Sequence, residues 1–395
     1  MLKKIGLVAV LAALISVVVA TTAWGSAKSP ARASASAAAN ATVTCGKTRT
    51  IGMAAPITGP ASDIGNQQVR WAKYFVKRWN KKHSNARIKM VMGDTQLGVD
   101  TAFAVKAAKS FASNSKVLGV VGPAGSQEVV ASTTAYKQGG LGFVSGSASR
   151  TTLTDGHTDG NRRGYFYRTV PNDAAQGPAV ANWMTKKLKW KRVYIIDDQE
   201  TYSQGLADGV GQILNKRGVT TKRDSISQKD SDFSSAIAKI PGDTQIVYIP
   251  WQLSAQAQAF GQQLKAAGKS AKLFGSDGLF DPSTFKIAGS YDSFFQVDPK
   301  SKQVAAFEKA HGGDGEFFGA PSGVAAGVAM RAVAAACADG KITRAEVRKV
   351  VARTTIPRAQ SILGLPVAFT ANGDLKGGKF GIYQIQSNGT YKPIG

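Results

Sequence analysis

Three serines follow two apolar runs in the middle of the chain. Ser126 lies in the helix-like segment that follows Val117–Val121. Ser147 and Ser149 follow the second run, Leu141–Val144. Such residues offer hydroxyl and backbone N–H groups but no strong acid, base or metal ligand. This chemistry is suited to holding a small anion such as a carboxylate, although serines before helices are also ordinary N-caps.

Residue patterns of enzymes and metal sites do not occur beside these serines. The three histidines, His83, His157 and His311, lie in polar or Gly-rich stretches without partner residues. No Walker loop or nucleophile elbow is present, and the glycines of GVVGPAG lack the dinucleotide-binding register. The paired carboxylates Asp197 and Asp198 are typical of a solvated loop. We therefore predict no catalytic residues, no metal site and no cofactor.

The first residues have the order of a secretory signal peptide. Lys3 and Lys4 precede an apolar run from residue 5 to 20, and small residues follow. A membrane anchor is the alternative, but the run is shorter than the roughly 20 residues that span a bilayer. We predict a signal peptide over residues 1–25 and a protein secreted to the periplasm or the cell-envelope exterior.

Residues 26–46 form an Ala/Ser-rich stretch with few charges. Such a composition buries little apolar surface, so it predicts a flexible tether. The remaining length is enough for two lobes with separate cores.

The two cysteines are Cys45, before the first strand, and Cys337, in an Ala-rich helix. In an oxidising compartment they are candidates for a disulfide that ties down the start of the fold. The alternative is two unpaired thiols, with Cys337 buried as a small apolar residue.

The chain is strongly basic, with a formal net charge of +25. Nucleic-acid binding is the first interpretation of such a charge. Lys and Arg are nevertheless spread through most elements without a long basic run, and a secreted protein rarely meets nucleic acid. We expect no nucleic-acid partner. The charge is instead suited to a polyanionic envelope or membrane surface, or to solubility.

Apolar strand-like runs alternate with amphipathic helical patterns through most of the chain, in two successive series. This pattern predicts an α/β fold with two doubly wound parallel-sheet lobes joined by a three-crossing hinge. We expect lobe 1 to contain residues 47–170 and 298–353, and lobe 2 to contain residues 171–297 and 354–395. Two lobes on a hinge are suited to closing around a ligand.

Five segments, in order along the chain, resemble one known family. They are IGMAAPITGPASDIGNQQ from Ile51, VVGPAGSQEV from Val120, RTVPNDAAQGP from Arg168, LFGSDGLFD from Leu273 and LGLPVAFTANGDLKGGKFGIYQIQSNG from Leu363. The family is the leucine/isoleucine/valine-binding proteins, the type I periplasmic solute-binding proteins of ABC transporters. The ordered set is specific, although no single segment is decisive.

The resemblance assigns roles in lobe 1 to four residues. It implies that the Ser126 hydroxyl and N–H hold the α-carboxylate of an amino acid. It implies that Ser147 offers its backbone carbonyl to the α-ammonium. Ser149 stands where the family usually has a threonine that contacts both ends. Ile64 occupies the place of an aromatic residue that packs on the ligand's side chain.

The resemblance assigns three more roles to residues of lobe 2. Tyr202 resembles the tyrosine that closes over the ligand, and Asp277 the acidic residue that pairs with the ammonium. Asp277 is one methylene shorter than the glutamate often found in leucine-type proteins. Trp251 lies near the strand end where the family brings in another aromatic side chain.

These observations together predict an extracytoplasmic solute-binding protein. It would capture a branched-chain or other apolar amino acid by Venus-flytrap closure and deliver it to an ABC permease in the membrane. We expect a monomer without cofactors. The alternatives are a ligand-sensing module of the same fold, or a binder of a related small carboxylate or amide.

Overall fold

The computed structural model describes residues 30–298, 301–311 and 316–395, so the predicted signal peptide lies outside the described residues. The helices are α1 Pro30–Ala39, α2 Ser62–Lys82, α3 Thr101–Ser113, α4 Ser126–Gln138, α5 Asp173–Asn182, α6 Thr201–Lys216, α7 Ser234–Ala238, α8 Ser254–Ala266, α9 Lys302–His311, α10 Gly319–Ala336 and α11 Arg344–Arg353. The strands are β1 Val43–Thr44, β2 Thr48–Ala55, β3 Arg87–Asp94, β4 Val117–Val121, β5 Phe143–Ser145, β6 Phe166–Arg168, β7 Arg192–Asp197, β8 Thr220–Ser225, β9 Ile246–Tyr248, β10 Lys272–Phe274, β11 Tyr291–Phe295, β12 Lys341–Ile342, β13 Phe380–Ile385 and β14 Tyr391–Pro393. Within the described ranges, no helix combines the length and apolar character needed to cross a bilayer.

Lobe 1 is built on a parallel sheet with the strand order β3-β2-β4-β5-β6. Helices α2, α10 and α11 cover one face, and α3 and α4 cover the other. The strand order reverses direction between β2 and β4. Ligands of open α/β sheets bind at such a switch point, outside the carboxyl ends of the strands.

Lobe 2 repeats this plan in a sheet with the order β14-β13-β11-β10-β9-β7-β8. Strands β8, β7, β9, β10 and β11 are parallel, and the antiparallel hairpin of β13 and β14 extends the edge. The order reverses between β7 and β9, which gives lobe 2 its own switch point. The predicted α/β fold with two doubly wound lobes is confirmed.

The chain crosses between the lobes after β6, after β11 and before β13. The last crossing comes later than predicted. Apolar residues of the connection from 354 to 375, among them Ile356, Val367 and Phe369, pack into the core of lobe 1. The predicted lobe 2 segment 354–395 is therefore wrong in its first part, because these side chains bury their surface against lobe 1 before the chain reaches β13.

The prediction of a flexible tether over residues 26–46 is wrong from residue 30 onward. Helix α1 packs against α3 and α4, with Ala35 and Ala38 buried. Alanines three residues apart lie on one helix face, and their small side chains allow close approach to the alanines of α3. Strand β1 then pairs with β12.

The predicted disulfide between Cys45 and Cys337 is present, with the two Cα atoms 5.9 Å apart. It joins the residue after β1 to the end of α10, which precedes β12. The first strands of lobe 1 are thus tied to its last helices, across 292 residues of sequence.

Candidate functional site at the interface of the lobes

The carboxyl ends of the strands of both sheets point into one cleft. Ser126 follows β4 and Ser147 follows β5, while Gln252 follows β9 and Asp277 follows β10. Between them lies a narrow cavity with about 290 Å³ of space between protein atoms. Its lining residues are Ile64, Leu97, Ala124, Ser126, Ser147, Ala148, Tyr202, Gln252, Asp277, Gly278 and Phe318.

The lobe 1 wall begins with the first turn of α4. Ser126 is the first helical residue, and its hydroxyl accepts a hydrogen bond from the Arg150 N–H at 3.3 Å. The first N–H groups of a helix have no partner within it, and the helix dipole favours an anion there. The Gly125 N–H is already used, since it donates to Glu128 Oε2 at 2.8 Å. Burial raises the pKa of this Glu128 carboxyl to about 7.

The Ser147 hydroxyl is fully engaged within lobe 1. It donates to the Ala124 carbonyl at 2.8 Å and accepts from the Gln68 amide at 2.8 Å. The side chain therefore holds the loop after β5 against the loop after β4. This arrangement supports the prediction that Ser147 contacts the ligand through its backbone carbonyl, because its hydroxyl is already paired.

Ser149 lies beneath the cavity and does not line it. It is fully buried, and its carbonyl accepts a hydrogen bond from the Asp173 N–H at 2.9 Å. The neighbouring Ser149 hydroxyl only partly offsets the burial that raises the pKa of the Asp173 carboxyl. The Ser149 hydroxyl is buried without a hydrogen bond in the described part of the chain, and the prediction that Ser149 contacts the ligand stays a prediction.

Arg168 shapes the loop that carries these serines, a role that the sequence analysis missed. Its guanidinium is fully buried and donates to the carbonyls of Ala148 at 3.2 Å and Arg150 at 2.8 Å. It also forms an ion pair with Asp374 at 2.7 Å. A buried guanidinium needs such partners. Arg168, the last residue of β6, thus links the loop of the site to the connection that precedes the third crossing.

The lobe 2 wall is centred on a tyrosine and an aspartate. Tyr202 Oη donates to Asp277 Oδ1 at 2.6 Å and lies 2.8 Å from Ser276 Oγ. The Gly278 N–H donates to the same Tyr202 oxygen at 3.2 Å. Both side chains are nearly fully buried. The Asp277 carboxylate is therefore held in one position facing lobe 1.

A second buried carboxylate lies close to Asp277. Asp173 is the first residue of α5, and burial together with the charge of Asp277 raises its pKa to about 8. Burial raises the pKa of Asp277 to about 6, and the hydrogen bond from Tyr202 keeps this rise smaller than burial alone would make it. Two carboxylates in a dry site repel each other, so the pair favours a proton or another cation. An ammonium group placed here would relieve that repulsion.

The remaining wall is apolar and comes from lobe 1. Ile64, Leu97 and Phe318 line the cavity together with Ala124 and Ala148. An adjoining cavity shares Ile64 and Phe318 with the first and is also lined by Pro60 and Thr284. Ile64 lies where the resemblance implied a side-chain contact, whereas Phe318 was not recognised in the sequence.

Trp251 is not part of the cavity wall, so that prediction is wrong. Its ring is completely buried in the core of lobe 2 against Phe233 and Phe260, and its indole N–H donates to the Ile196 carbonyl at 2.7 Å. The next residue, Gln252, lines the cavity instead. Successive residues of an extended chain point to opposite sides, so a shift of one residue exchanges core for cleft.

Direct contacts join the lobes around the cavity. The Gln127 side-chain amide of lobe 1 donates to Gln252 Oε1 of lobe 2 at 2.7 Å, and both side chains are buried. The Arg150 guanidinium hydrogen-bonds to the Thr201 carbonyl. Leu97 and Leu253 belong to one apolar cluster. The structure therefore has the lobes closed on each other.

The acidic pair after β7 is structural. Asp197 and Asp198 are each 1% exposed, so the prediction of a solvated loop is wrong. Asp197 pairs with Arg223 at 2.7 Å, and Asp198 accepts from the Gln228 amide at 3.0 Å. Within the described ranges, no group of three or more His, Cys, Asp or Glu residues could hold a metal ion.

The family model described as a periplasmic binding protein matches residues 48–390 of the chain. The Leu/Ile/Val-binding protein of Citrobacter freundii is 26% identical over 354 residues, which cover 86% of this chain and 91% of that protein.

Solved structures share the fold. A leucine-binding protein of Thermotoga maritima superposes with a TM-score of 0.76 at 20% identity, over 88% of this chain and 98% of its own. A solute-binding protein of an ABC transporter from R. palustris, in complex with benzoate, gives a TM-score of 0.75 at 17% identity, over 88% of this chain and 96% of its own. The two neighbours are nearly equally similar in fold, although one is a leucine-binding protein and the other holds benzoate. Similarity of fold alone therefore does not determine the ligand.

Proposed function

The chain belongs to the periplasmic binding protein family, and we propose that it captures a branched-chain or other apolar amino acid between its lobes and delivers it to an ABC permease. The family is one of solute-binding proteins, and membership implies an extracytoplasmic location. The Citrobacter relative, named for leucine, isoleucine and valine, supports the ligand class. The secretory signal peptide over residues 1–25 and a monomeric state without nucleic acid are parts of this proposal.

The observation that carries the proposal is the pairing of opposite chemistries across one cavity. A zwitterion needs hydrogen-bond donors at its carboxylate and an anionic acceptor at its ammonium. The α4 N-terminus with Ser126 supplies the donors from lobe 1, and Asp277 supplies the acceptor from lobe 2. The position of Ser147 supports the use of its backbone carbonyl as a further acceptor.

The carboxylate pair favours an amino acid over a simple carboxylate such as benzoate. Asp277 and Asp173 are buried together, and their raised pKa values mean that the empty cleft takes up a proton near neutral pH. A ligand with an ammonium group would replace that proton and form a charge-assisted hydrogen bond. A ligand with only a carboxylate would add a further negative charge to the closed cleft.

The apolar surface of Ile64, Leu97 and Phe318 supports an apolar side chain. Such a wall contributes affinity through the area it removes from water and sets specificity through its shape. The adjoining cavity beside Ile64 and Phe318 is where a branched side chain would extend. We propose that the lobes open to admit the ligand, because the closed cavity is narrow.

Calorimetry with the purified protein tests the proposal against the twenty amino acids and against small amides and carboxylates. We expect the tightest binding from L-leucine, L-isoleucine or L-valine, with proton release at neutral pH. If no α-amino acid binds, the ligand class is wrong and the fold assignment is unaffected. Binding of apolar carboxylates that lack an ammonium group, with affinity equal to that of amino acids, would contradict the role given to Asp277.

A further inference from the structure

One segment of lobe 1 has an excess of positive charge that no acidic residue within it offsets. Between residues 64 and 93 the chain has eight Lys and Arg residues and no Asp or Glu. This stretch covers most of α2 and β3 and contributes eight of the 25 net positive charges. The ligand cleft does not account for this charge, because its own side chains are neutral or acidic.

Three of these lysines form a row along α2. Lys73, Lys77 and Lys81 are spaced four residues apart, so they project from one side of the helix at intervals of about 6 Å. Arg87, the first residue of β3, extends the row. All four side chains are exposed, and in the described part of the chain none forms an ion pair with a carboxylate.

The row borders a groove between α2 and β3, which we call the basic groove. It is lined by Lys73, Val76, Lys77, Asn80, Lys81, Arg87, Met90 and Met92. The Asn80 side chain fixes its shape, since it donates to the Ile88 carbonyl at 3.0 Å and accepts from the Ile88 N–H at 2.7 Å. The basic groove therefore combines an apolar floor of methionines with positively charged sides.

The charge row is unfavourable for the helix that carries it. Like charges four residues apart destabilise a helix, and α2 has no acidic residue after Asp63 to offset them. Lysines on an edge strand often prevent pairing with another sheet, and β3 is the edge strand of its sheet. Arg87 and Lys89 lie on β3 and are suited to that role, whereas Lys73, Lys77 and Lys81 lie on the helix. The row is better explained by an anionic partner.

We propose that the basic groove binds a linear anionic polymer of the cell envelope that carries one phosphate diester in each repeat. Successive phosphates would contact Lys73, Lys77 and Lys81, and the polymer's carbon atoms would lie on Met90 and Met92. A chain can enter a groove, whereas a flat bilayer cannot. The apolar side of α2 is packed against α10, so it is not available for insertion into lipid.

Such binding leaves the ligand cleft free. The cleft lies at the carboxyl ends of the strands, whereas Lys81 and Arg87 lie toward the amino end of β3. The polymer would hold the protein in the envelope while the lobes open and close. This inference does not depend on which ligand the cleft binds.

The test measures binding of poly(glycerol phosphate) to the full-length mature protein at several salt concentrations. The groove variant combines Lys73→Gln, Lys77→Gln and Lys81→Gln. We expect about tenfold weaker binding, and a salt dependence whose logarithmic slope falls by about 2, because three phosphate contacts are lost. Affinity for the cleft ligand should not change.

A matched control removes the same charge from exposed helical lysines elsewhere, through Lys109→Gln, Lys216→Gln and Lys265→Gln. We expect its polymer affinity to stay within about twofold of the parent. Equal losses in the two triple variants would overturn the proposal, because the attraction would then come from diffuse charge. Tighter binding to vesicles of anionic phospholipid than to the polymer would also overturn it.

Discussion

The two walls of the cleft hold their polar groups in different ways. In lobe 1 the Ser147 hydroxyl and the Gly125 N–H are already paired within the lobe, and the groups facing the cavity are neutral. In lobe 2 the Asp277 carboxylate is buried beside Asp173, with the charge of each opposing the other. The lobe 1 wall therefore carries no charge toward the cavity, whereas the buried carboxylates of lobe 2 are stabilised when a cation is placed beside them. We therefore propose that lobe 1 recognises the shape of the ligand and lobe 2 its charge.

The largest effect should come from removing the lobe 2 charge. Asp277→Asn keeps the shape of the side chain but not its charge, so we expect amino-acid binding to weaken by at least about 2 kcal/mol, roughly 30-fold. Calorimetry measures this change. Asp208→Asn, at an exposed partner of Arg223, is the matched control and should leave affinity unchanged. Equal affinity of the Asp277 variant and the parent would remove charge recognition from lobe 2.

Acidity should have the next largest effect. Below pH 6 a proton increasingly occupies Asp277, so the ligand's ammonium must displace it, and affinity should be about tenfold weaker at pH 5 than at pH 8. Titration calorimetry at the two pH values checks this, and Asp277→Asn should flatten the dependence. A pH-independent affinity in the parent would show that the carboxylates do not face the ammonium.

The same carboxylates should link folding to pH. Their pKa values are raised above those of the unfolded chain, so the stability that they contribute is fully present below about pH 4. It is lost as pH rises through about 6 and about 8, the pKa values of Asp277 and Asp173. A bound ammonium offsets this loss. We therefore expect the ligand to raise the melting temperature more at pH 8 than at pH 5, as measured by calorimetric scans.

A smaller effect should come from the neutral wall. Ser126→Ala removes one hydroxyl donor from the carboxylate end, so we expect a loss of about 1 kcal/mol, roughly fivefold in affinity. Ser110→Ala, at an exposed position of α3, is the control. The amide of the amino acid lacks the carboxylate, so its affinity should be nearly the same for the parent and for Ser126→Ala. A large loss with that amide would mean that Ser126 shapes the wall rather than binds the anion.

The contact between the walls should have the smallest effect. Gln127→Ala breaks the hydrogen bond to Gln252 that joins the closed lobes, so ligand dissociation should be about threefold faster with little change in association. Stopped-flow fluorescence measures both rates. A double-mutant cycle with Gln252→Ala isolates the contact, and additive effects of the two changes would argue against it.

Much of the fold could be predicted from sequence because its signals are local. Apolar runs such as Val117–Val121 matched strands, and the helices between them were recognised by their apolar stripes. Strand β11, Tyr291–Phe295, has a weaker signal, because its aromatic residues do not alternate regularly with polar ones. Helix α1 was missed because its stability comes from packing on α3 rather than from its Ala/Ser composition.

Part of the candidate site could also be predicted, because those residues lie in locally recognisable segments. Ser126, Tyr202 and Asp277 stand in recognisable segments and do line one cavity. Asp173 was overlooked because the residue after an Asn cap resembles any helix start, and only its burial beside Asp277 makes it unusual. Phe318 lies far away in sequence and reaches the cavity through the packing of α10.

The sequence by itself determined the two-lobed α/β architecture and the hydroxyls and carboxylate at the strand ends, because these depend on local periodicity and on residue type. Tertiary structure alone decided that Gln252 rather than Trp251 faces the cleft, that Ser149 supports Asp173, and that residues 354–375 belong to lobe 1. Each of these depends on which side of an extended segment meets which core. Which side faces the core depends on packing against side chains that are distant in sequence, and a local sequence pattern does not show that packing.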